Sequence, residues 1–140
     1  MPFLRNHLIP EGIGVDTFET AVRYSLLPGL REKVYAQFQR ICPQGRIMAH
    51  ISHSYSDGAC VYFTMFFPIE KQAIKQWHTL KDTMSEAVVV AGGNISHHHG
   101  VGSDHKKYFK AANPAQHALL SKIKDSVDKA GILNPGKILS

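Results

Sequence analysis

This sequence predicts an α+β fold: a ferredoxin-like antiparallel sheet with helices on one face, followed by C-terminal helices. Three observations carry that prediction. Two alternating segments flank Ser56-Asp57-Gly58 and read as a β-hairpin. A long apolar stripe at helical spacing follows the hairpin. A strand and a helix precede it, so the order is β-α-β-β-α and then helices, as in a split βαβ unit.

Met1 to Pro10, with Pro2 and Pro10 at its ends, reads as irregular. Gly12 and Gly14 open a strand, Ile13 to Val22, rich in Val, Thr and Phe. Pro28-Gly29 breaks it. Leu30, Val34, Phe38 and Ile41 recur at helical spacing, which predicts a helix from Leu30 to Ile41, ended by Pro43 and Gly45. The hairpin strands are Ile47 to Tyr55 and Ala59 to Phe67. On the second, Val61, Phe63, Met65 and Phe67 share one face and should be core. Cys60, Tyr62, Thr64 and Phe66 share the other, a mixture of thiol, phenol and hydroxyl that suits a face covering a ligand. His50 and Ser52 lie together on one face of the neighbouring strand.

Pro68 stops the hairpin, and Ile69, Ala73, Trp77, Leu80, Met84, Ala87 and Ala91 form the helical stripe. Gly92-Gly93 ends that helix. Asp104 is placed to N-cap a helix through Lys110, and Asn113-Pro114 to begin another through Ala130. Gly131 leaves Ile132 to Leu139 as a tail. All 140 residues form one domain without repeat, low-complexity segment or internal linker.

Between the long helix and the next lies Ile95-Ser-His-His-His-Gly-Val-Gly102. Three successive histidines are costly to bury, and glycine serves where the backbone takes positive φ or another group approaches closely. The stretch describes a tight polar loop that brings imidazoles and backbone N–H groups to a ligand. The net charge of +5 comes from sixteen scattered Lys and Arg, with Lys106, Lys107 and Lys110 densest, directly after this loop. Scatter of that kind argues against nucleic acid and for a site that attracts anions. Cys42 and Cys60 fit reduced thiols, and neither an apolar leader nor a membrane-length run occurs, so a soluble cytoplasmic setting is expected. No glycine-rich phosphate loop is present, so any nucleotide cofactor is held by something else. His97, His99 and His105 could ligate a metal. Without a carboxylate or cysteine at a recognised spacing, however, no metal is expected.

The histidine loop resembles that of the alkylglycerone-phosphate synthases (alkyl-dihydroxyacetone-phosphate synthases), which belong to the FAD-linked oxidases of the vanillyl-alcohol-oxidase type. Asp57-Gly-Ala-Cys-Val-Tyr-Phe63 looks like their strand bearing the active-site tyrosine. Pro2-Phe-Leu-Arg5 and Asp16-Thr-Phe-Glu-Thr-Ala21 look like their arginine and the strand after it, and Gly131-Ile-Leu-Asn-Pro-Gly-Lys137 is similar to their ending. In order and spacing these cover nearly the whole chain.

The resemblance implies a C-terminal cap or substrate domain over residues 1–140, with the N-terminal FAD-binding domain supplied in cis or in trans. FAD would serve the full-length enzyme and would not stay on this chain alone. Tyr62 becomes the acid/base, and a phenol does this at neutral pH only where neighbouring positive charge lowers its pKa. His97, His98 and His99 would move protons and orient substrate, with His98 and His99 favoured to face the flavin. Arg5 would bind the substrate's anionic group by bidentate contact, with Cys60 near the substrate. Asn134 and Lys137 would reach the cofactor. The implied substrate is a phosphate or carboxylate bearing an acyl or alkyl chain, exchanged on dihydroxyacetone phosphate in ether-lipid synthesis. Alternatives are the cap of an FAD-linked 2-hydroxy-acid dehydrogenase or oxidase, and a non-catalytic dimerisation or metal-binding module. A homodimer is expected, because an uncovered face around Tyr62 would seek a partner.

Overall fold

A computed structural model describes residues 2–139; Met1 and Ser140 lie outside the described residues. The sheet consists of β1 (Ile13–Arg23), β2 (Arg46–Ser54) and β3 (Gly58–Pro68) in the order β1-β3-β2, each neighbouring pair antiparallel. Both outer strands therefore run parallel, joined by a helical crossover, which is the split βαβ arrangement expected. That crossover holds α2 (Leu27–Ile41), and α3 (Ala73–Val90) follows the hairpin. Both helices pack on one sheet face. Phe18, Val22, Val61, Phe63, Met65 and Phe67 meet Leu30, Val34 and Phe38 of α2 and Leu80, Met84, Ala87 and Val88 of α3 there. The alternation on β3 thus sorts as the sequence requires, and Phe18 stacks on Phe63 with ring centroids 4.8 Å apart.

Several boundaries differ from the sequence reading. The irregular start is a short helix, α1 (Pro2–Leu8); proline is tolerated in a first helical turn because its missing N–H has no partner there anyway. For the same reason Pro28 does not break the chain but sits in the first turn of α2, behind a 3₁₀ turn at Tyr24–Leu26. The long helix begins at Ala73 rather than Ile69. The Ile69 amide instead donates to Gly12 O (2.8 Å), and the Gln76 side chain donates to Pro68 O and accepts from the Glu70 amide.

The next helix, α4 (Gly102–Ala112), starts before Asp104, which caps nothing and accepts a hydrogen bond from Ser103. The last, α5 (Pro114–Val127), stops short of Ala130. Buried Asp128 accepts the amides of Ile132 and Leu133 and pairs with Lys124, turning the chain into the tail. No described helix is long and apolar enough to cross a membrane.

After α3 the chain returns to β1 through backbone contacts. Asn94 donates to Ala21 O (3.0 Å), while Thr20 Oγ1 donates to Asn94 O (2.6 Å). One turn later the histidine loop lies over Glu19, whose residue is only 3% exposed. Glu19 Oε1 accepts the backbone N–H groups of His97 (2.7 Å), His98 (2.6 Å) and His99 (3.0 Å) and the Ser96 hydroxyl (3.3 Å). Burial alone would raise the Glu19 pKa, but the three backbone donors and the Cys60 thiol outweigh it and bring it from 4.5 to about 2. Consecutive N–H groups wrapped round an anion form a nest, here occupied by the protein's own carboxylate.

That pKa drop corresponds to roughly 3 kcal/mol of stability at neutral pH. The contribution is complete above the unfolded carboxylate's pKa and is lost as pH falls from about 5 to about 2. Glu19→Gln should therefore lower unfolding free energy in urea by about 2–3 kcal/mol at pH 7, and the difference from wild type should close towards pH 2. A second substitution probes the strand pairing. A Cβ on Gly58 would stand 2.4 Å from the Val22 carbonyl oxygen, a backbone atom that cannot swing aside. Gly58→Ala should lower the melting temperature, at a cost of about 1–3 kcal/mol.

Candidate functional site at the uncovered sheet face

Opposite the helices, the sheet carries its chemistry. Thr17 and Glu19 of β1 and Tyr62 and Thr64 of β3 share this face by strand alternation, since Thr17 pairs with Thr64 and Glu19 with Tyr62. The histidine loop and α1 border it and complete a cleft of about 590 Å³. Tyr62, His98, His99 and Arg5 all line that cleft. The Tyr62 hydroxyl donates to Thr17 Oγ1 (3.0 Å), the His99 ring meets the phenol edge-on with centroids 5.5 Å apart, and the His50 ring lies 5.3 Å from it. Arg5, on α1, is exposed and brings a guanidinium to the cleft lining.

Three adjacent histidines cannot point one way. His98 and His99 turn into the cleft, whereas His97 turns aside, its Nε2 sharing a 2.8 Å hydrogen bond with the Tyr55 hydroxyl. Gly100 and Gly102, at φ +76° and +56°, let the loop leave this crossing and enter α4.

Cys60 is buried behind the cleft rather than in it. Its thiol donates to Glu19 Oε2 (3.4 Å) and lies 3.7 Å from His98 Nδ1. Burial first, and then the neighbouring Glu19 carboxylate, raise the Cys60 thiol pKa despite an opposing contact from Ser52. A free thiolate nucleophile is therefore not what the site offers. Both cysteines are free and buried.

Asn134 and Lys137 lie on the tail and do not line the cleft. The tail is held to the C-terminal helices, with Lys106 Nζ donating to Gly136 O and Lys124 Nζ to Leu133 O. His105 stays out of the cleft as well, its Nδ1 3.4 Å from Ser85 Oγ, and burial followed by Lys81 lowers its pKa.

Sequence reasoning missed two residues of the cleft lining. Glu19 stood in a strand motif without a role, because nothing in a strand's alternation says that an inward carboxylate will meet a loop some eighty residues later. His53 escaped because a bulge between Ile51 and His53 turns it onto the face of its partner Cys60. His50 and His53 thus both line the cleft, although plain alternation assigns them to opposite faces.

The cleft lining thus combines a phenol and imidazoles with a guanidinium and the apolar Leu4 and Val15.

Comparison with known proteins agrees with this geometry. The family described as FAD linked oxidases, C-terminal domain, matches residues 1–138. The chain is 32% identical over 145 residues to the alkyldihydroxyacetonephosphate synthase of Dictyostelium discoideum and 30% identical over 146 residues to that of Trypanosoma brucei brucei. Each alignment takes in 99% of this chain and 24% of the relative, so the chain spans about a quarter of their length. An uncharacterized FAD-linked oxidoreductase of Escherichia coli (strain K12) is 32% identical over 94 residues, 64% of this chain and 19% of that protein. A solved alkyldihydroxyacetonephosphate synthase structure superimposes with a TM-score of 0.68 and 25% identity, over 98% of this chain and 23% of that one. Fold, histidine loop and a match running almost end to end have one common reading: the chain belongs to the family of C-terminal domains of FAD-linked oxidases.

Proposed function

We propose that this chain is the substrate-side part of an FAD-dependent enzyme, with Tyr62 as acid/base and His98 and His99 as its imidazole partners. The observation that carries the reading is the convergence of Tyr62, His98, His99 and Arg5 on one cleft. FAD, held by a domain of another fold in cis or in trans, would supply the electron-accepting ring. Residues of this chain do the rest. Thr17 fixes the phenol's orientation through its hydroxyl. His99 lies against the phenol and can take up or return its proton. Arg5 draws a phosphate or carboxylate to the cleft mouth, and Leu4 and Val15 give an acyl or alkyl chain an apolar wall.

The names of the synthase relatives favour one activity, exchange of an acyl for an alkyl chain on dihydroxyacetone phosphate in ether-lipid synthesis. The Escherichia coli relative, named only as an FAD-linked oxidoreductase, keeps a second class open; within it the family resemblance points to oxidation of a 2-hydroxy acid. The reading takes the cytoplasm as the setting, on the two free thiols, and a homodimer as the assembly, on the uncovered cleft face.

In the full-length protein, Tyr62→Phe should lower kcat by about 10²–10⁴-fold while flavin absorbance and melting temperature hold. Unchanged turnover in that variant would refute the role given to Tyr62. Assaying the wild type both for alkyl exchange and for dye reduction by 2-hydroxy acids separates the two activities. The 140-residue chain alone should purify without stoichiometric flavin absorbance.

A further inference from the structure

We infer that His53, Cys60 and His98 form a binding site for a divalent cation of the zinc class at the edge of the cleft. One ligand atom from each of the three lies within 4.8 Å of the other two. Tetrahedral zinc, with nitrogen at about 2.0 Å and sulfur at about 2.3 Å, sets such atoms roughly 3.5 Å apart. Cys60 Sγ and His98 Nδ1 already stand at 3.7 Å. His53 is exposed and packs on His98 with ring centroids 4.6 Å apart, so a small rotation of its side chain brings a nitrogen into range.

Three separate elements deliver these groups. The β2 bulge turns His53 towards Cys60 on β3, and the Glu19 nest sets His98 above them. The assembly could not have been found from spacing.

The donor set selects the metal class. Two imidazoles and a thiolate suit zinc, while magnesium and calcium require oxygen ligands. Behind the ligands lies Glu19 Oε2, 3.4 Å from Cys60 Sγ and 3.9 Å from His98 Nδ1. Oε1 is the oxygen that the loop's backbone occupies, and Oε2 adds negative charge beside the ligand atoms, which favours a cation there. A divalent cation would also offset the charge of the thiolate and Glu19 together. His97 contributes no ligand, since its Nε2 is engaged by Tyr55. Three protein ligands leave a fourth position for water, and two of them, His53 and His98, line the cleft that Tyr62 shares.

The test uses this chain purified without a histidine tag, with zinc titrated by calorimetry and Co²⁺ followed by absorption. One zinc per chain should bind with a Kd below roughly 1 μM. Co²⁺ should show a thiolate-to-cobalt charge-transfer band. His53→Ala and Cys60→Ser should each weaken zinc binding by about 100-fold or more, and His97→Ala should leave it unchanged. Zinc affinity unaltered in His53→Ala, or lost in His97→Ala, would mark adventitious capture by the histidine tract and overturn the site, as would cobalt without the thiolate band. His53 is an exposed residue, so that variant decides the matter even if Cys60→Ser fails to fold. The readout is metal content, independent of the flavin reading above.

Discussion

One buried carboxylate organises this molecule's reactive side. Glu19 lies buried on the cleft face of β1, where a charge would ordinarily be costly, and it is tolerated because three successive backbone N–H groups and two side-chain donors close round it. The exchange works in both directions. The strand gains a neutralising shell, and a loop that would otherwise be mobile acquires one conformation. Which imidazole enters the cleft and which leaves it is decided at this point, since the nest sets the backbone direction of all three histidines.

The sheet provides the second constraint. A strand has two faces, and β3 uses them for opposite purposes: Val61, Phe63 and Met65 sit among the helices, while Tyr62 and Thr64 look into the cleft. The bulge in β2 adds a local exception that alternation alone would forbid, placing a second imidazole on the chemical face. Neither helix on the core side contributes a side chain to the cleft. Their part is to hold the sheet still.

Much of this is legible in the sequence. The hairpin, the stripe on α3 and the two faces of β3 follow from period and turn chemistry, and Tyr62 with the histidine loop follows from resemblance. What was not legible has specific causes. Helix starts slipped where hydrogen bonding rather than hydrophobic period decides, as at Gln76, whose side chain holds the stretch before Ala73. The α1 helix was hidden because Pro2 reads as a breaker when it stands at a start. Glu19 and His53 were hidden because one depends on a contact across most of the chain and the other on an inserted residue in a ladder. Asn134 and Lys137 carry motif identity, yet the tail that bears them is bound to α4 and α5, away from the cleft.

The division of labour along β3 has an evolutionary corollary. The strand's odd-numbered positions Val61, Phe63 and Met65 answer to packing while Tyr62 and Thr64 face the cleft, so an exchange on one face leaves the contacts of the other in place. Exchanges at His50 or Thr64, which line the cleft, would redirect this scaffold to new reactants with little disturbance to the helices on the far side. A lineage built on such a strand can diversify its reactions while keeping its architecture, and relatives that share the shape need not share a substrate.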